Sequence, residues 1–261
     1  MTASVLPRDE DAGRTSAGAL DGPPVGLALV ERWRRSIIVR RLPRFAPPTG
    51  RVLVVAPHPD DEVFGIGGTL ALAAASGAVV EVLAVTDGEA SHARSEAVTA
   101  DELRLRRADE RREALQRLGL GAAAVDRLGL PDGALASVGG LMAAAIAERL
   151  DASTTCFATW RHDGHPDHDA VGRAAVAACR RTGARLIEYP VWAWDRCPTG
   201  AFPWARARRV PLGSEVDAAK RAAAAAFTSQ LAPLGPEPAD GPVVRPESLA
   251  QMLRPYEVVL C

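Results

Sequence analysis

A continuous run of apolar residues at Val52–Ala56 constrains the fold of this 261-residue chain more than any other feature. A strand with one face in water alternates apolar and polar residues, whereas an uninterrupted apolar run is typical of a parallel strand that is covered on both faces. Strand-like and helix-like segments alternate along the rest of the chain. We therefore predict an α/β fold in which a parallel sheet carries helices on both faces.

The boundaries of these segments are predicted from apolar periodicity and from the glycines that end helices. The predicted strands are Arg51–Ala56, Ala78–Val85, Ala122–Leu128, Thr154–Thr159, Ala184–Tyr189 and Tyr256–Leu260, and the predicted helices are Glu62–Ser76, Asp101–Leu118, Gly140–Leu150, Asp169–Arg181 and Lys220–Gln230. Two stretches rich in proline, Trp192–Trp204 and Ala232–Pro246, are predicted to be loops.

The first fifty residues differ in composition from the rest. Residues 1–24 are small, polar and interrupted by glycine and proline, which predicts a flexible tail, and residues 25–50 are predicted to be a helical or linker extension before the main domain, 51–261. The extension contains Arg32, Arg34, Arg35, Arg40, Arg41 and Arg44. A charge run is usually a solvated face, so we expect this segment to pack on the domain with its arginines in water. Peripheral contact of residues 32–44 with an anionic membrane surface is the alternative.

Composition argues against several classes of partner. The formal net charge of −1 gives no reason to expect a nucleic acid. We also expect no membrane span, because no apolar run approaches ~18 residues, and no secretory signal is recognisable. The cysteines, Cys156, Cys179, Cys197 and Cys261, lack the C-x-x-C spacing of metal sites. We expect them to be reduced, as in a cytoplasmic protein. The oligomeric state is not predicted.

Four polar segments follow predicted strands directly. They are His58–Glu62, Thr86–Glu89, the turn at Asp132, and Arg161–Asp169. Ligands of open α/β sheets bind outside the carboxyl ends of the strands. These segments are therefore expected to converge on one functional edge of the sheet.

The segment after the first strand has the composition of a metal site. His58 and Asp61 are three residues apart across a strand-to-helix turn, so both could face one metal. Asp60 lies between them on a different bearing, where it would stay off the metal and act as a base. The alternative is that Asp60 and Asp61 only cap the following helix, but capping leaves His58 unexplained.

A second pair of imidazoles, His165 and His168, begins a predicted helix. If Asp167 caps that helix, both imidazoles can face the same edge. One would ligate the metal, and the other could act as an acid or electrophile, but the spacing alone does not decide which. Two histidines and one carboxylate also fit a non-haem iron site. The additional carboxylate and imidazole favour hydrolysis.

These residues resemble the signatures of a known family. Ala56-Pro57-His58-Pro59-Asp60-Asp61-Glu62 and His165-Pro166-Asp167-His168 are similar to the two motifs of the LmbE-like, or PIG-L, deacetylases, which are zinc-dependent N-acetylglucosaminyl deacetylases. Gly65–Thr69, Thr86–Glu89 and Leu128–Gly133 extend the resemblance, which covers about residues 51–261. It implies a Rossmann-like, mostly parallel sheet in a single domain.

The resemblance also implies a role for each matching residue. His58, Asp61 and His168 would hold one Zn²⁺ per chain, or another divalent metal. Asp60 would be the general base, and His165 would stabilise the oxyanion and protonate the leaving amine. Arg107 and Asp132 match positions that often contact the sugar. Arg107 could equally be a surface arginine, and Asp132 a simple turn residue.

The function implied is a metal-dependent hydrolase that removes an N-acetyl or other N-acyl group from an N-acetylglucosamine-type amino-sugar conjugate. An amidase acting on another amide, such as a thiol-sugar conjugate, and a non-catalytic metal-binding module of the same fold are the alternatives. His92 is expected to be exposed, and His162 is a minor candidate for a group behind the ligands. At least two of Trp160, Trp192, Trp194 and Trp204 are expected to be packed in the core rather than to stack on a sugar.

Overall fold

Seven strands form one sheet in the part of the chain that the computed structural model describes, residues 34–261. The strands are β1 (Arg51–Ala56), β2 (Val79–Ala84), β3 (Ala124–Arg127), β4 (Thr155–Thr159), β5 (Arg185–Tyr189), β6 (Ala207–Pro211) and β7 (Tyr256–Leu260), in the spatial order β3-β2-β1-β4-β5-β7-β6. Neighbours among β1 to β5 are parallel, and β7 is antiparallel to both β5 and β6. The predicted single α/β domain with a mostly parallel sheet is confirmed. The tail predicted for residues 1–24 lies outside the described residues.

Helices cover both faces of the sheet. They are α1 (residues 34–41 of the described part), α2 (Asp61–Ala75), α3 (Ala100–Arg117), α4 (Gly139–Ala147), α5 (Pro166–Thr182), α6 (Ala193–Arg196), α7 (Ser214–Ala224), α8 (Thr228–Leu231) and α9 (Pro246–Met252), with short 3₁₀ turns at Leu135–Val138, Thr199–Ala201 and Pro238–Asp240. In residues 34–261, none of these helices is both long and apolar enough to cross a bilayer.

The apolar run of β1 is explained by its place in the middle of the sheet. Val52 and Val54 pack into a core cluster with residues of α2, α3 and α7. Leu53 and Val55 point the other way and pack into a second cluster with residues of α4 and α5. Because both faces of the strand are buried, every position requires an apolar side chain.

Helix α2 approaches the sheet closely because two of its residues lack a side chain. A Cβ on Gly65 would lie 2.4 Å from Tyr189 Cδ2, and one on Gly68 would lie 2.6 Å from Leu212 Cδ2. The amides of Gly68 and Thr69 donate to the buried Glu257, at 2.8 and 2.7 Å, and Glu257 is also paired with the buried Lys220 at 2.6 Å. These contacts fix the start of α2 at the carboxyl end of β1.

Several predictions of the C-terminal third were wrong. The predicted helix Lys220–Gln230 is instead α7, which starts at Ser214 and ends at Ala224, followed by the separate turn α8. Glu110 accepts hydrogen bonds from the Thr228 hydroxyl and the Ser229 amide at 2.8 and 2.7 Å, so a contact with α3 sets the position of α8. The predicted loop Trp192–Trp204 contains α6, and both β6 and α9 were missed.

The arginines of the N-terminal extension do not share one environment. Arg34, Arg40, Arg41 and Arg44 are exposed, as expected for a solvated face. Arg35 is buried, which contradicts the expectation that these arginines point into water. Val39 also packs in a third core cluster with Trp160 and Trp194, so α1 lies against the domain.

Candidate metal centre and active site

The polar segments that follow β1, β3 and β4 converge at one edge of the sheet, as predicted. His58 Nε2 lies 3.0 Å from Asp132 Oδ1 and 3.2 Å from Asp167 Oδ2. The imidazole rings of His58, His165 and His168 have centroids 4.7 to 5.3 Å apart. Three histidines and two carboxylates, from the segments that follow three strands, therefore surround one small volume.

Asp61 lies at the centre of this group. Its Oδ2 is 3.2 Å from His58 Nδ1 and 3.2 Å from His168 Nε2, and all three residues are buried. The same oxygen accepts the backbone N–H of His58 at 2.9 Å, which fixes the turn between β1 and α2. Within residues 34–261, the trio His58, Asp61 and His168 and the trio His58, His165 and Asp167 have ligand atoms close enough to hold one metal ion.

The second nitrogen of each central imidazole is held by a buried carboxylate. His168 Nδ1 lies 2.8 Å from Asp163 Oδ2, and His58 Nε2 faces Asp132 and Asp167. Histidines that bind metals usually donate their other N–H to such a partner, which fixes the ring and its tautomer. The nitrogens left facing inward are His58 Nδ1 and His168 Nε2, on either side of the Asp61 carboxylate.

These residues fit a divalent metal. His168 Nε2 is buried and makes no hydrogen bond of good geometry in the described structure, although Asp61 Oδ2 lies 3.2 Å away, and a buried nitrogen in this position requires an explanation. Two imidazoles and one carboxylate are ligands that zinc prefers. Burial alone would lower the pKa of His168, but the charge of Asp61 and the bond to Asp163 raise it to about 9. Burial alone would raise the pKa of Asp61, but the charge of His168 lowers it well below its usual range.

Asp60 faces away from this trio. It occupies the N-cap position of α2 with φ 149° and ψ −29°, a strained conformation for a residue with a side chain. Its side chain makes no capping hydrogen bond and instead pairs with Arg107 at 2.9 Å. Burial raises the pKa of Asp60 to about 7, and the Arg107 guanidinium opposes part of that shift. Helix capping therefore does not explain either this carboxylate or that of Asp61.

His165 caps α5, so Asp167 does not have the capping role that was considered for it. Its Nδ1 accepts the Asp167 amide at 3.3 Å. Burial, followed by the charges of His168 and His58, lowers the pKa of His165 to about 3. This imidazole is neutral near pH 7, and because Nδ1 accepts a hydrogen bond, Nε2 carries its proton.

Arg107 and Asp132 both lie inside the site. Arg107 is buried and donates to the carbonyls of Gly88 and Pro59 at 2.8 and 3.1 Å, so it is not a surface arginine. A Cβ on Gly88 would lie 2.1 Å from Arg107 Nη1, and Gly88 also has a φ of +71°. Asp132 accepts the Ala90 amide at 2.8 Å, in addition to its contact with His58. Sugar contact by these two residues stays a prediction.

Asp163 is the functional residue that sequence reasoning ranked too low. It is fully buried, and besides holding His168 it accepts the amides of Val191, Trp192 and Ala193, each at 2.9 Å. Its neighbour His162, which was considered for this role, is exposed. The available signal was its place just after β4 and five residues before His168.

Two expectations about ring side chains can also be compared with the structure. His92 is buried rather than exposed, because Nδ1 contacts the Ser91 hydroxyl at 3.1 Å and Nε2 contacts the Gly241 carbonyl at 3.2 Å. Trp160 and Trp194 are buried, whereas Trp192 and Trp204 are partly exposed. The expectation that at least two tryptophans pack in the core is confirmed.

The fold and the site define an α/β protein with a cluster of histidines and aspartates that could hold a metal ion, and comparison with known proteins identifies its family. Residues 53–179 match the family model described as PIG-L, GlcNAc-PI de-N-acetylase. The conserved protein TT1542 from Thermus thermophilus is 32% identical in a superposition with a TM-score of 0.54 that covers 77% of this chain and 84% of that one. The chain belongs to the PIG-L, or LmbE-like, family.

Two curated relatives have named activities. A 1D-myo-inositol 2-acetamido-2-deoxy-alpha-D-glucopyranoside deacetylase from Rhodococcus opacus is 32% identical over 179 residues, which are 59% of this chain and 58% of that protein. A diacetylchitobiose deacetylase from Thermococcus kodakarensis is 40% identical over 70 residues, 27% of this chain and 26% of that protein. The chain thus spans just over half the length of the first relative and about a quarter of the second. Both relatives are named as deacetylases of N-acetylglucosamine-type substrates.

Proposed function

We propose that this protein is a zinc-dependent N-deacetylase that removes an acetyl group from an N-acetylglucosamine-type amino-sugar conjugate. The observation that carries the proposal is the Asp61 oxygen 3.2 Å from both His58 Nδ1 and His168 Nε2, with the outer imidazole nitrogens held by carboxylates. The two named deacetylases among its relatives support the reaction and the sugar class.

His58, Asp61 and His168 are the residues that would hold the metal. A zinc ion held by three protein ligands supplies a Lewis acid that makes water more acidic and polarises a carbonyl oxygen. Asp60 is suited to take the proton from the attacking water, because a base is most effective when its pKa lies near the working pH, and that of Asp60 is about 7.

His165 is assigned to the other side of the reacting amide. As a neutral imidazole with its proton on Nε2, it can donate a hydrogen bond to the oxygen that becomes negative during attack. Protonation of the departing amine then requires a proton that reaches His165 during the reaction, since burial and two nearby imidazoles disfavour its charged form. The proton that Asp60 accepts earlier in the same cycle balances the one that the leaving amine gains.

Arg107 is proposed to contact the substrate and to hold the Asp60 carboxylate at the same time. Its guanidinium holds Asp60 at 2.9 Å, while its buried Nε has no partner in the described structure. Asp132 is proposed to contact a sugar hydroxyl beside His58. Both assignments come from the family resemblance, because the described contacts of Arg107 and Asp132 are with other residues of the protein.

Acetate release from a panel of amides tests this proposal. The zinc-loaded protein should release acetate from N-acetylglucosaminides, and Asp60→Asn should retain zinc but lose most of the activity. Amides with longer acyl chains and thiol-sugar conjugates belong in the same panel, since preferential hydrolysis of those would replace the deacetylase assignment with a different amidase. A protein that binds one zinc and hydrolyses none of these amides would contradict catalysis altogether.

A further inference from the structure

Arg35 has an unusual environment for an arginine on a short terminal helix. It lies in α1, outside the region that matches the family model, and is only 5% exposed. Its guanidinium donates to the carbonyls of Ala193, Trp194 and Cys197 and to the Thr199 hydroxyl, the last at 3.1 Å. Four of the acceptors of this buried arginine lie in one segment of the chain, residues 193–199.

Two of these acceptors, the carbonyls of Trp194 and Cys197, lie at the end of a very short helix, while the Ala193 carbonyl also accepts the Cys197 amide at 3.0 Å. Helix α6 has only four residues, and the last carbonyls of a helix have no partner within it. The amides at the other end of the same segment, those of Val191, Trp192 and Ala193, all donate to Asp163. Residues 191–199 are therefore held by two charged groups, Asp163 at the amide end and Arg35 at the carbonyl end.

This segment connects Arg35 to the metal centre. The three amides fix the orientation of the Asp163 carboxylate, whose Oδ2 holds His168 Nδ1 at 2.8 Å. If the segment loosens, Asp163 loses its fixed partners, and His168 Nε2 is no longer held in one direction. We infer that Arg35 is a positioning residue of the metal centre, acting through residues 191–199 and Asp163 on His168.

The inference rests on the metal centre proposed above, but its test does not require turnover. Arg35→Lys keeps a charge with fewer directed donors, and Arg35→Met removes all donors at similar length. Arg41→Met is the matched control, because Arg41 is an exposed arginine of the same helix. Two quantities are measured on folded protein: hydrogen exchange of the peptide containing residues 190–199, and the zinc dissociation constant by competition with a chelator.

Both Arg35 variants should exchange faster over residues 190–199 and bind zinc about tenfold more weakly, the lower end of the range for residues behind a metal ligand. Arg41→Met should match the parent protein in both measurements. If Arg35→Met does not fold, Arg35→Lys decides the question alone. Faster exchange with unchanged zinc affinity would overturn the inference, because Arg35 would then only stabilise the loop. Unchanged exchange would overturn it as well.

A double variant tests the route through Asp163. Asp163→Asn alone should weaken zinc binding, since it removes the charge behind His168. In that background Arg35→Lys should have little further effect, because interacting residues on one route are not additive. Fully additive losses would contradict the route. A protein that binds zinc in this manner yet hydrolyses no amide would leave the inference standing while refuting the deacetylase function.

Discussion

Metal binding at His58, Asp61 and His168 should compete with protons. A histidine binds metal only in its neutral form, so an imidazole with a raised pKa must lose its proton first. In the metal-free protein the pKa of His168 is about 9, and hydrogen bonds to Asp132, Asp167 and Asp61 raise that of His58 well above its usual value despite burial. Affinity for zinc is therefore expected to increase as the pH rises.

The size of the effect follows from the pKa of His168. With a pKa of about 9, only about 1% of this imidazole is neutral at pH 7, since each pKa unit corresponds to a factor of ten. Zinc affinity at pH 7 should then be about 100-fold below its limit, a loss of about 2.7 kcal/mol. Affinity should strengthen at least about tenfold per pH unit between pH 7 and pH 9, because the raised pKa of His58 adds to the effect of His168 with the same sign.

Chelator competition between pH 6 and pH 9.5, corrected for the protonation of the chelator and the hydrolysis of zinc, measures this dependence. Calorimetry in buffers of different ionisation enthalpy should show release of at least one proton per zinc at pH 7. His162→Gln is the control and should give an unchanged slope, because His162 is exposed. An affinity that is constant between pH 7 and pH 9 would refute the ion-paired state of His168 and Asp61.

Three further predictions concern single residues. Asp60→Asn should keep the metal and lower kcat about 10²- to 10⁴-fold, the usual cost of losing a general base; near-normal kcat would rule out that role. His168→Ala should lose zinc in elemental analysis and His165→Ala should keep it, and the reverse pattern would exchange their roles. Lys220→Met should lower the free energy of unfolding in guanidinium by about 3–5 kcal/mol, because Glu257 is left buried without its partner; a change below about 1 kcal/mol would be inconsistent with that pairing.

Sequence patterns predicted the strands and helices that can be recognised from their own residues, without contacts from distant parts of the chain. The run in β1 and the alternation that follows it specify five parallel strands and the helices between them. Strand β6 was missed because Arg208 and Arg209 give it a polar sequence. Its strand conformation depends on pairing with β7, at the C-terminal end of the described chain. The alanines at 222–226 favour a continuous helix. The contacts of Glu110 with Thr228 and Ser229, more than a hundred residues apart in sequence, separate α7 from α8 instead.

In the candidate site, too, residues in short motifs could be predicted, whereas contacts between residues far apart in the sequence could not. The convergence of His58, Asp61 and His168 was expected because the segments after parallel strands meet at one edge of the sheet, and in the structure β1 and β4 are neighbours there. The carboxylates that contact the outer nitrogens of these histidines could not be predicted, because the spacing of residues does not give the direction of their side chains. Asp163 contacts His168 with a carboxylate that also accepts the amides of residues 191–193, which lie far from it in sequence. His92 is buried for a similar reason, through a contact with Gly241 that no local pattern indicates.

Asp60 and Asp61 show how one short motif produces two carboxylates with different pKa values. The residues are adjacent and chemically identical, yet the pKa of Asp60 is raised to about 7 and that of Asp61 is lowered well below its usual range. Asp61 lies between two imidazoles. The φ of 149° at Asp60 turns the Asp60 carboxylate away from those imidazoles, toward a buried position beside Arg107. Carboxylates whose pKa values are driven apart are the usual basis for separate roles in catalysis. The backbone strain at Asp60 thus separates the carboxylate that we propose as proton acceptor from the one that we propose as metal ligand.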